Sequence, residues 1–369
     1  MRIRSLTPFW ISLPLLKPFK MSNVTVKTAE NLLVRVEDTD GNVGWGEAAS
    51  APNMTGDFPE GMVAAAQLMK SFVEGMEVDD LAGFAERIDG IMYGNQGSKS
   101  AVDVAVHDLA GKRAGVPVAE LLGGIVRRDI PILFMLATGD LAVDVAMARK
   151  KSDEGIVAFK VKVGTTNVAA DLERCTAVRE LLGASARISA DANQGFSREE
   201  ALRFAAGAKA AGLDFIEQPI DGHDVEGMAL VAAATPVPIG ADEGIHSHAD
   251  IEHHHALRAA RGASLKTIKL GGMSPVMIAG RRMQALGMSV NLAGKIADSS
   301  VASAAIVQLG AALPQIDWDA SVTCQYLADD ITVDPVRVER GHVRLSDRPG
   351  LGFDVDEAKL SNSSVRLAA

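Results

Sequence analysis

The chain has 369 residues, a formal net charge of −10 and a sequence pI of about 5.3. This acidic balance argues against nucleic acid or an anionic membrane surface as a partner, and the length suffices for a (β/α) barrel with an accessory domain. Two cysteines far apart in sequence, Cys175 and Cys324, predict no disulfide framework and a reducing, cytoplasmic location.

The first quarter of the chain predicts an α+β capping domain over residues 1–124. Strand-like alternation of apolar and polar residues predicts a three-stranded antiparallel meander with a turn at 38–41. Helical periodicity follows the meander. The strand-like runs are 2–13, 24–28, 31–37 and 43–47, and the helical runs are 61–72, 81–92 and 99–114.

Two segments of this domain, 15–23 and 48–57, are rich in residues that break regular structure. One hypothesis is that they fold over the following domain as a lid that excludes water and selects substrates. The alternative is a solvated surface hairpin. The apolar run at 9–19 is interrupted by Pro14 and Pro18 and is too short to cross a bilayer, so we expect no membrane partner.

Beyond residue 124, short apolar strands end in a polar residue at intervals of about 24 to 29 residues. One strand and one returning helix occupy such an interval, and each polar residue falls where a strand gives way to a loop. The residues in question are Lys162, Asp191, Glu217, Asp242 and Lys266. In a (β/α) barrel, the carboxyl ends of the strands form the face where catalysis takes place.

The series predicts an α/β fold, a (β/α)7β TIM-like barrel over residues 125–325. We expect its first strand at 130–136, its seventh at 289–293 and its eighth at 316–320. Residues 326–369 are expected to return to the capping domain and to complete it.

Lys160 and Lys162 occupy alternate positions of one predicted strand, so both ammonium groups point to the same face. Like charges held that close disfavour protonation, which predicts a lowered pKa for at least one of the two lysines. Such a lysine can accept a proton and act as a general base.

The three carboxylates would repel one another at neighbouring strand ends unless a counter-ion joined them. Oxygen ligands suit a hard cation, so Asp191, Glu217 and Asp242 predict a Mg²⁺ site flanked by Lys162 and Lys266. A small carboxylate substrate bound there could lose its α-proton to give an enediolate that the metal stabilises. Taken singly, each acid has the alternative of a helix cap or loop residue, and each lysine that of a solvated position.

One lysine on each side of the substrate would remove a proton from one face and deliver it to the other. The sequence therefore predicts an isomerase that performs racemisation, epimerisation or cycloisomerisation. The alternative within enzymes is a lyase, a dehydratase of a hydroxy or amino acid, because the same enediolate can expel a β-leaving group. The alternative outside enzymes is a catalytically silent binding scaffold.

The chain resembles the enolase superfamily, specifically its muconate-lactonizing subgroup in the mandelate racemase/muconate lactonizing enzyme family. The resemblance rests on K-x-K at 160–162, the three carboxylates, K-x-x-K-x-G-G at 266–272, and the stretches 44–47 and 101–124. It implies that Lys162 and Lys266 are bases on opposite faces, that Lys160 is an electrostatic helper, and that the three acids bind Mg²⁺. It also implies a homo-oligomer.

Five further residues are predicted to contact the substrate. Where the subgroup carries a glutamate at the seventh strand, this sequence places Asp298, and Lys295 would favour a second anionic group if it faces the pocket rather than solvent. Asn193, Ser321 and Lys20 complete the set.

Other polar residues leave alternatives open. His246 and His248 follow Asp242, so either could touch the substrate, whereas the histidines at 253–255 are expected on a helix surface. The run at 317–319, Asp-Trp-Asp, resembles the D-x-D pair of dipeptide epimerases, although Trp318 aligns better with the tryptophan of muconate cycloisomerases. Neither signature is complete, because those cycloisomerases have a glutamate in place of Ser321.

Overall fold

Two separate sheets organise the chain, a four-stranded antiparallel sheet and an eight-stranded parallel sheet. The structure is a computed structural model that describes residues 1–20, 25–165, 167–360 and 365–367, with backbone alone for 19–20 and 365–367. Within those ranges, no helix has both the length and the apolar character needed to cross a bilayer.

The capping domain begins with long antiparallel strands and continues with helices. Its elements are β1 (Ile3–Lys20), β2 (Thr25–Asp38), β3 (Val43–Ala49), α1 (Pro59–Val73), α2 (Leu81–Ile91), α3 (Gln96–Ala114) and α4 (Val118–Leu121). The core between sheet and helices is closely packed: a Cβ added at Gly44 or Gly46 would lie within 2.2 Å or 2.1 Å of a backbone oxygen of α3. Only glycine permits that approach.

Strands and helices then alternate. The elements are β4 (Asp129–Pro131), β5 (Leu133–Leu136), α5 (Leu141–Asp153), β6 (Ala158–Lys162), α6 (Val168–Leu182), β7 (Arg187–Asp191), α7 (Arg198–Ala208), β8 (Phe215–Glu217), α8 (Val225–Ala233), β9 (Ile239–Ala241), α9 (His248–Ala256), β10 (Gly262–Leu265), α10 (Thr267–Leu270), α11 (Met273–Ala285), β11 (Ser289–Ala293), α12 (Ser300–Ala312) and β12 (Ala320–Ser321). The described chain ends with β13 (His342–Arg344), α13 (Glu357–Leu360) and β14 (Val365–Leu367).

The parallel sheet is a barrel. Strands β5 to β12 pair in sequence order, and a parallel bridge between Ile132 and Ala320 joins the two ends of the sheet. Strand β14 pairs antiparallel with β1, so the end of the chain completes the antiparallel sheet. The predicted fold class is confirmed, whereas the domain boundaries at 124/125 and 325/326 stay predictions.

Two predicted barrel strands have different bounds in the structure. The segment predicted as the first strand is two elements, because β4 pairs antiparallel with β13 and only β5 belongs to the barrel. Pro131 is the last residue of β4 and has no N–H to donate to a continuous ladder. The eighth strand is β12, later than predicted, because residues 316–319 precede it as a turn.

The predicted loop at 15–23 is wrong for residues 15–20, which continue β1. This strand accommodates Pro14 and Pro18 because its pairing with β2 shifts register between Pro14 and Phe19. Residues 21–23 lie outside the described part of the chain.

Polar N-caps begin most of the barrel helices and so determine where each strand-to-helix loop ends. The side chains of Asn167, Ser197, Asp224 and Ser247 each accept a backbone N–H from the first turn of their helix. Each cap satisfies an otherwise unpaired donor. The loops at the carboxyl end of the barrel are thereby held at both ends.

Glu47 joins the capping domain to the barrel. Its carboxylate is buried and accepts hydrogen bonds from the backbone N–H groups of Ser299 and Ala302 at the start of α12, from the Ser299 hydroxyl and from Asn31 Nδ2 at 2.5 Å. A helix N-terminus favours an anion at this place. Burial nevertheless raises the pKa of Glu47, although its hydrogen bonds favour the charged form.

Replacing Glu47 by alanine is expected to lower the free energy of unfolding by about 2–4 kcal/mol, because several buried donors lose their acceptor. Urea denaturation measures the change. Glu173→Ala on the exposed face of α6 is the matched control and is expected to change stability by less than about 0.5 kcal/mol. Equal stability of the two variants would contradict the joining role.

Candidate active site

One buried cavity at the carboxyl end of the barrel is lined by the residues that the sequence singled out. Lys162, Asp191 and Glu217 are the last residues of β6, β7 and β8, while Asp242 and Lys266 directly follow β9 and β10. All five line a cavity of about 40 Å³, together with Lys160. The structure thus brings together side chains that lie up to about a hundred residues apart in sequence.

The two lysines lie across the barrel from each other. Strands β6 and β10 are four positions apart in an eight-stranded barrel, so Lys162 and Lys266 stand on opposite sides of the cavity. Strands β7 to β9 between them carry the carboxylates. Strands β11, β12 and β5 form the remaining wall, from which Ser321 and Met135 line the cavity.

Each carboxylate is paired with a lysine ammonium group. The pairs are Lys162 Nζ with Asp191 Oδ2 at 2.5 Å, Lys160 with Glu217, Lys266 with Asp242, and Lys269 Nζ with Asp242 Oδ1 at 2.7 Å. All of these side chains are buried. The pairs join strands that are adjacent or two positions apart, except that Lys269 belongs to α10.

Lys160 does not have the lowered pKa that was predicted for at least one lysine of this strand. Burial disfavours its ammonium form, but the carboxylates of Glu217 and Asp191 outweigh burial and raise the pKa of Lys160 above its ordinary value. Burial also disfavours the ammonium form of Lys266, but the nearby Asp242 carboxylate outweighs burial and raises the pKa of Lys266. The acids facing the lysines therefore have more influence than the second lysine on the same strand.

Glu243 is a cavity residue that sequence reasoning missed. Alternation along a strand would turn it away from its neighbour Asp242, but β9 ends at Ala241 and both carboxyl groups face the cavity. Its Oε2 has no hydrogen-bond partner among the described residues. Burial and the charges of Asp242 and Asp191 raise the pKa of Glu243 to about 7. An acid adjacent to a candidate ligand is the sequence signal that could have found it.

Asn193 connects the two sides of the site. Its Oδ1 accepts a hydrogen bond from Lys162 Nζ at 2.7 Å, and its Nδ2 donates to Glu243 Oε1 at 3.0 Å. Its backbone lies in the left-handed region, with φ of 41°, and its N–H donates to Asp191 Oδ1. Asparagine tolerates this conformation better than most residues.

The other predicted substrate contacts divide into three groups. Lys295 and Ser321 line the cavity. Asp298 is not among the described lining residues, because its carboxyl turns into its own loop and Oδ2 accepts the Lys295 backbone N–H at 2.8 Å. Burial and the nearby Glu47 raise the pKa of Asp298 well above its usual value. The side chain of Lys20 lies outside the described part of the structure.

The two histidines after Asp242 do not line this cavity in the described chain. His246 Nε2 donates to the Glu243 carbonyl at 2.9 Å and His248 Nε2 to the Pro275 carbonyl at 3.0 Å. Both line a separate cavity of about 560 Å³ between α2 and α11. The expected surface position of 253–255 is wrong for His254, which is buried.

The Asp-Trp-Asp run lies at the other end of the barrel. Trp318 stacks on Phe215, the first residue of β8, with 4.0 Å between ring centroids and 2° between planes. Asp319 pairs with Arg187, the first residue of β7. The run therefore fills the amino-terminal end of the barrel, and neither specificity signature applies to it.

The capping domain forms part of the wall of the cavity. Asn53 and Met54, from the segment after β3, line it together with the strand ends. A single water molecule needs about 10–15 Å³ of such space, so the remaining 40 Å³ has room for only a few water molecules. Two residues of the segment 48–57 thus lie at the site, while its role as a lid that excludes water and selects substrates stays a prediction.

The site's donor set fits a hard divalent cation. Three consecutive strands each present a carboxylate, and Glu243 Oε2 is a buried oxygen without a hydrogen-bond partner in the described chain. Among the residues that the structure describes, no three acidic, histidine or cysteine side chains are already grouped as a cation site, because lysine ammonium groups lie among the acids. The chemistry of oxygen-only ligands favours magnesium.

Two family models together match most of the chain. The model described as Mandelate racemase / muconate lactonizing enzyme, N-terminal domain, matches residues 9–123. The model described as Enolase C-terminal domain-like matches residues 143–359.

Individual relatives match over nearly their whole length. Muconate cycloisomerase 1 of Pseudomonas putida is 32% identical over 355 residues, which cover 95% of this chain and 94% of that protein. L-Ala-D/L-Glu epimerase of Clostridium acetobutylicum is 31% identical over 357 residues, which cover 93% of this chain and 96% of that protein. The crystal structure of muconate lactonizing enzyme from Pseudomonas fluorescens complexed with muconolactone superposes with a TM-score of 0.93 at 30% identity, covering 97% of this chain and 98% of that one.

Proposed function

Since the chain belongs to the mandelate racemase/muconate lactonizing enzyme family of the enolase superfamily, we propose that Lys162 and Lys266 move the proton α to the carboxylate of a small acid bound between them. The chain is an isomerase of the muconate-lactonizing type. Its reaction is racemisation, epimerisation or cycloisomerisation of a small carboxylic acid or amino-acid derivative.

One observation carries the proposal: two buried lysines stand on opposite sides of one cavity, four strands apart in the barrel. A base on each side of an α-carbon can remove the proton from one face and return one to the other. A single base would return the proton to the face from which it came. The geometry therefore supports inversion, and a cycloisomerase would use only one of the two lysines for proton transfer.

Asp191, Glu217 and Asp242 are the residues that would hold Mg²⁺. When bound, the cation would neutralise negative charge that develops on the substrate carboxylate as its α-proton leaves. Lys160 lies on the same strand face as Lys162 and stays among the acids, where its ammonium group supplies a further positive charge.

The surrounding residues orient the bases and exclude water. Asn193 holds Lys162 Nζ, so the direction of that amine is determined before substrate binds. Asn53 and Met54 line the cavity from the capping domain and would shield a bound substrate from water. A dry site strengthens every charge interaction within it.

Proton exchange in deuterated water tests the proposal. With Mg²⁺ present, the enzyme is expected to exchange the α-proton of at least one member of a panel of small carboxylic acids and N-acyl amino acids, as followed by proton NMR. A chelator such as EDTA is expected to stop exchange, and added Mg²⁺ to restore it. Loss of water from the substrate would instead identify a lyase. Absence of exchange across the panel, or exchange that the chelator leaves unchanged, would contradict the proposal.

The proposal includes a homo-oligomeric assembly and a cytoplasmic location. Family resemblance supports the first. The two cysteines, free and buried in the structure, support the second.

A further inference from the structure

Lys295 stands where two cavities of the molecule meet. It follows β11 by two residues and is only 6% exposed. Together with Asn53 and Ile296, it lines both the active-site cavity and an adjoining cavity of about 120 Å³. The adjoining cavity is otherwise lined by the capping domain, from β2 and the segment after β3. Lys295 therefore faces the pocket and not solvent.

The Lys295 ammonium group forms no ion pair with the described residues. No carboxylate of the described chain lies within 4.0 Å of its Nζ, which makes one long contact, 3.5 Å, with the Ile296 carbonyl. Asp298 is close in sequence but accepts the Lys295 backbone N–H. Burial, together with the positive charge of Lys266, lowers the pKa of Lys295 to about 8. Burying a cation without an ion-pair partner costs free energy. We therefore expect the Lys295 ammonium group to pair with an anion that binds at the cavity.

Lys269 is a second buried lysine near the site, and its contacts are those of a structural residue. It is also buried, but its Nζ donates to three acceptors, namely the Asp242 carbonyl, Asp242 Oδ1 and the Ser264 carbonyl. It is not one of the described residues that line the cavity. Lys295 differs in both respects, because it lines the cavity and is poorly satisfied within the chain.

The position of Lys295 in the barrel gives the direction of the missing anion. The carboxylates lie on the arc of β7 to β9, whereas Lys295 follows β11 on the remaining wall. A substrate whose reacting carboxylate is held at the arc of acids, with its α-carbon between Lys162 and Lys266, extends its far end toward that wall. Lys295 and the adjoining cavity are the features that this end would meet.

We propose that Lys295 binds a second anionic group of the substrate, so that the substrate class is a dianion such as a dicarboxylate or an N-acyl amino acid with an acidic acyl chain. This inference rests on the proposed function for the placement of the first carboxylate. A charge-assisted hydrogen bond or ion pair with the ammonium group would supply the recognition.

Paired acids of equal chain length test the inference. Calorimetric titration in the presence of Mg²⁺ would give Kd values for glutarate against pentanoate and for adipate against hexanoate. For at least one pair, the wild-type protein is expected to bind the diacid about 10- to 100-fold more tightly, since a hydrogen bond to a charged group contributes about 1.5–3 kcal/mol. Lys295→Met is expected to reduce this ratio to about threefold or less while changing the Kd of the monoacid little.

Two other substitutions of Lys295 and one control variant extend the binding test. Lys295→Gln has the same expected loss and serves if Lys295→Met does not fold, whereas Lys295→Arg keeps the charge and is expected to retain a preference for the diacid. Lys209→Met, at an exposed position after α7, is the matched control and should behave as wild type. A preference that survives in Lys295→Met and Lys295→Gln, or its absence in the wild-type protein, would overturn the inference.

The two proposals fail in distinguishable ways. If α-proton exchange proceeds but no preference depends on Lys295, the anion subsite is wrong and the proposed function stands. If the diacid preference depends on Lys295 but no acid exchanges its α-proton, the subsite stands and the proposed function is wrong.

Discussion

Replacing Lys162 or Lys266 by alanine is expected to lower kcat by about 10²- to 10⁴-fold, the usual contribution of a positioned acid or base. The reason is geometric: the two ammonium groups lie on opposite sides of one cavity, so neither can take over the proton of the other face. In a racemase or epimerase, each single variant should still exchange the α-proton that faces the remaining lysine. The pair of variants therefore separates the two half-reactions.

Separate enantiomers of the substrate in deuterated water measure this effect. Lys162→Ala should exchange the α-proton of one enantiomer and Lys266→Ala that of the other, each without inversion. Lys209→Ala, exposed and distant from the cavity, is the control and should retain wild-type turnover. Wild-type turnover in either active-site variant would remove that lysine from the mechanism.

Replacing Glu217 by glutamine is expected to weaken binding of a divalent cation by about 100-fold or more and to abolish activity with it, because a ligand is lost and not only its support. Glu217 occupies the middle of the three carboxylate strands, and Ser264 Oγ donates to its Oε1 at 2.8 Å, which orients the carboxylate. An amide there offers one oxygen and replaces the other by an N–H donor. Titration with Mn²⁺, followed by electron paramagnetic resonance, measures affinity independently of turnover.

Glu217→Gln also removes the carboxylate that pairs with Lys160. A loss of folding stability must therefore be distinguished from a loss of cation affinity. Breaking a buried ion pair on one side typically costs about 3–5 kcal/mol. The double variant Lys160→Met with Glu217→Gln removes both charges and should regain most of that stability without regaining cation affinity. Glu173→Gln on an exposed face is the matched control. Wild-type cation affinity in Glu217→Gln would contradict the ligand role.

The sequence predicted the position of a site residue correctly where that position depends only on the length of one strand and one helix. The spacing of Lys162, Asp191, Glu217, Asp242 and Lys266 followed from the length of one strand and one helix, and the structure brings all five to one cavity. Glu243 was not predicted as a cavity residue because side chains alternate between two faces only within a strand. Strand β9 ends at Ala241, so the alternation does not extend to Asp242 and Glu243. The eighth strand was displaced for a similar reason, since nothing local distinguishes 316–319 as a turn from the start of β12.

The partners of each side chain depended on tertiary contacts. Proximity along one strand predicted a lowered pKa for at least one of Lys160 and Lys162, yet Glu217, two strands away, raises the pKa of Lys160. Asp298 was placed as a substrate contact from its position in the chain, but its carboxyl instead accepts a backbone N–H of its own loop. The Asp-Trp-Asp run lies at the amino-terminal end of the barrel because Trp318 packs on Phe215 there.

By itself, the sequence determined the barrel, the set of acids and lysines at its carboxyl end and the kind of chemistry they support, since local periodicity encodes where strands end. Tertiary structure alone decided which ammonium group pairs with which carboxylate, and that Lys295 is buried at the cavity with no carboxylate of the described residues within 4.0 Å of its Nζ. The physical reason is that charge interactions in a buried site depend on distances between strands, and those distances arise only when the barrel closes.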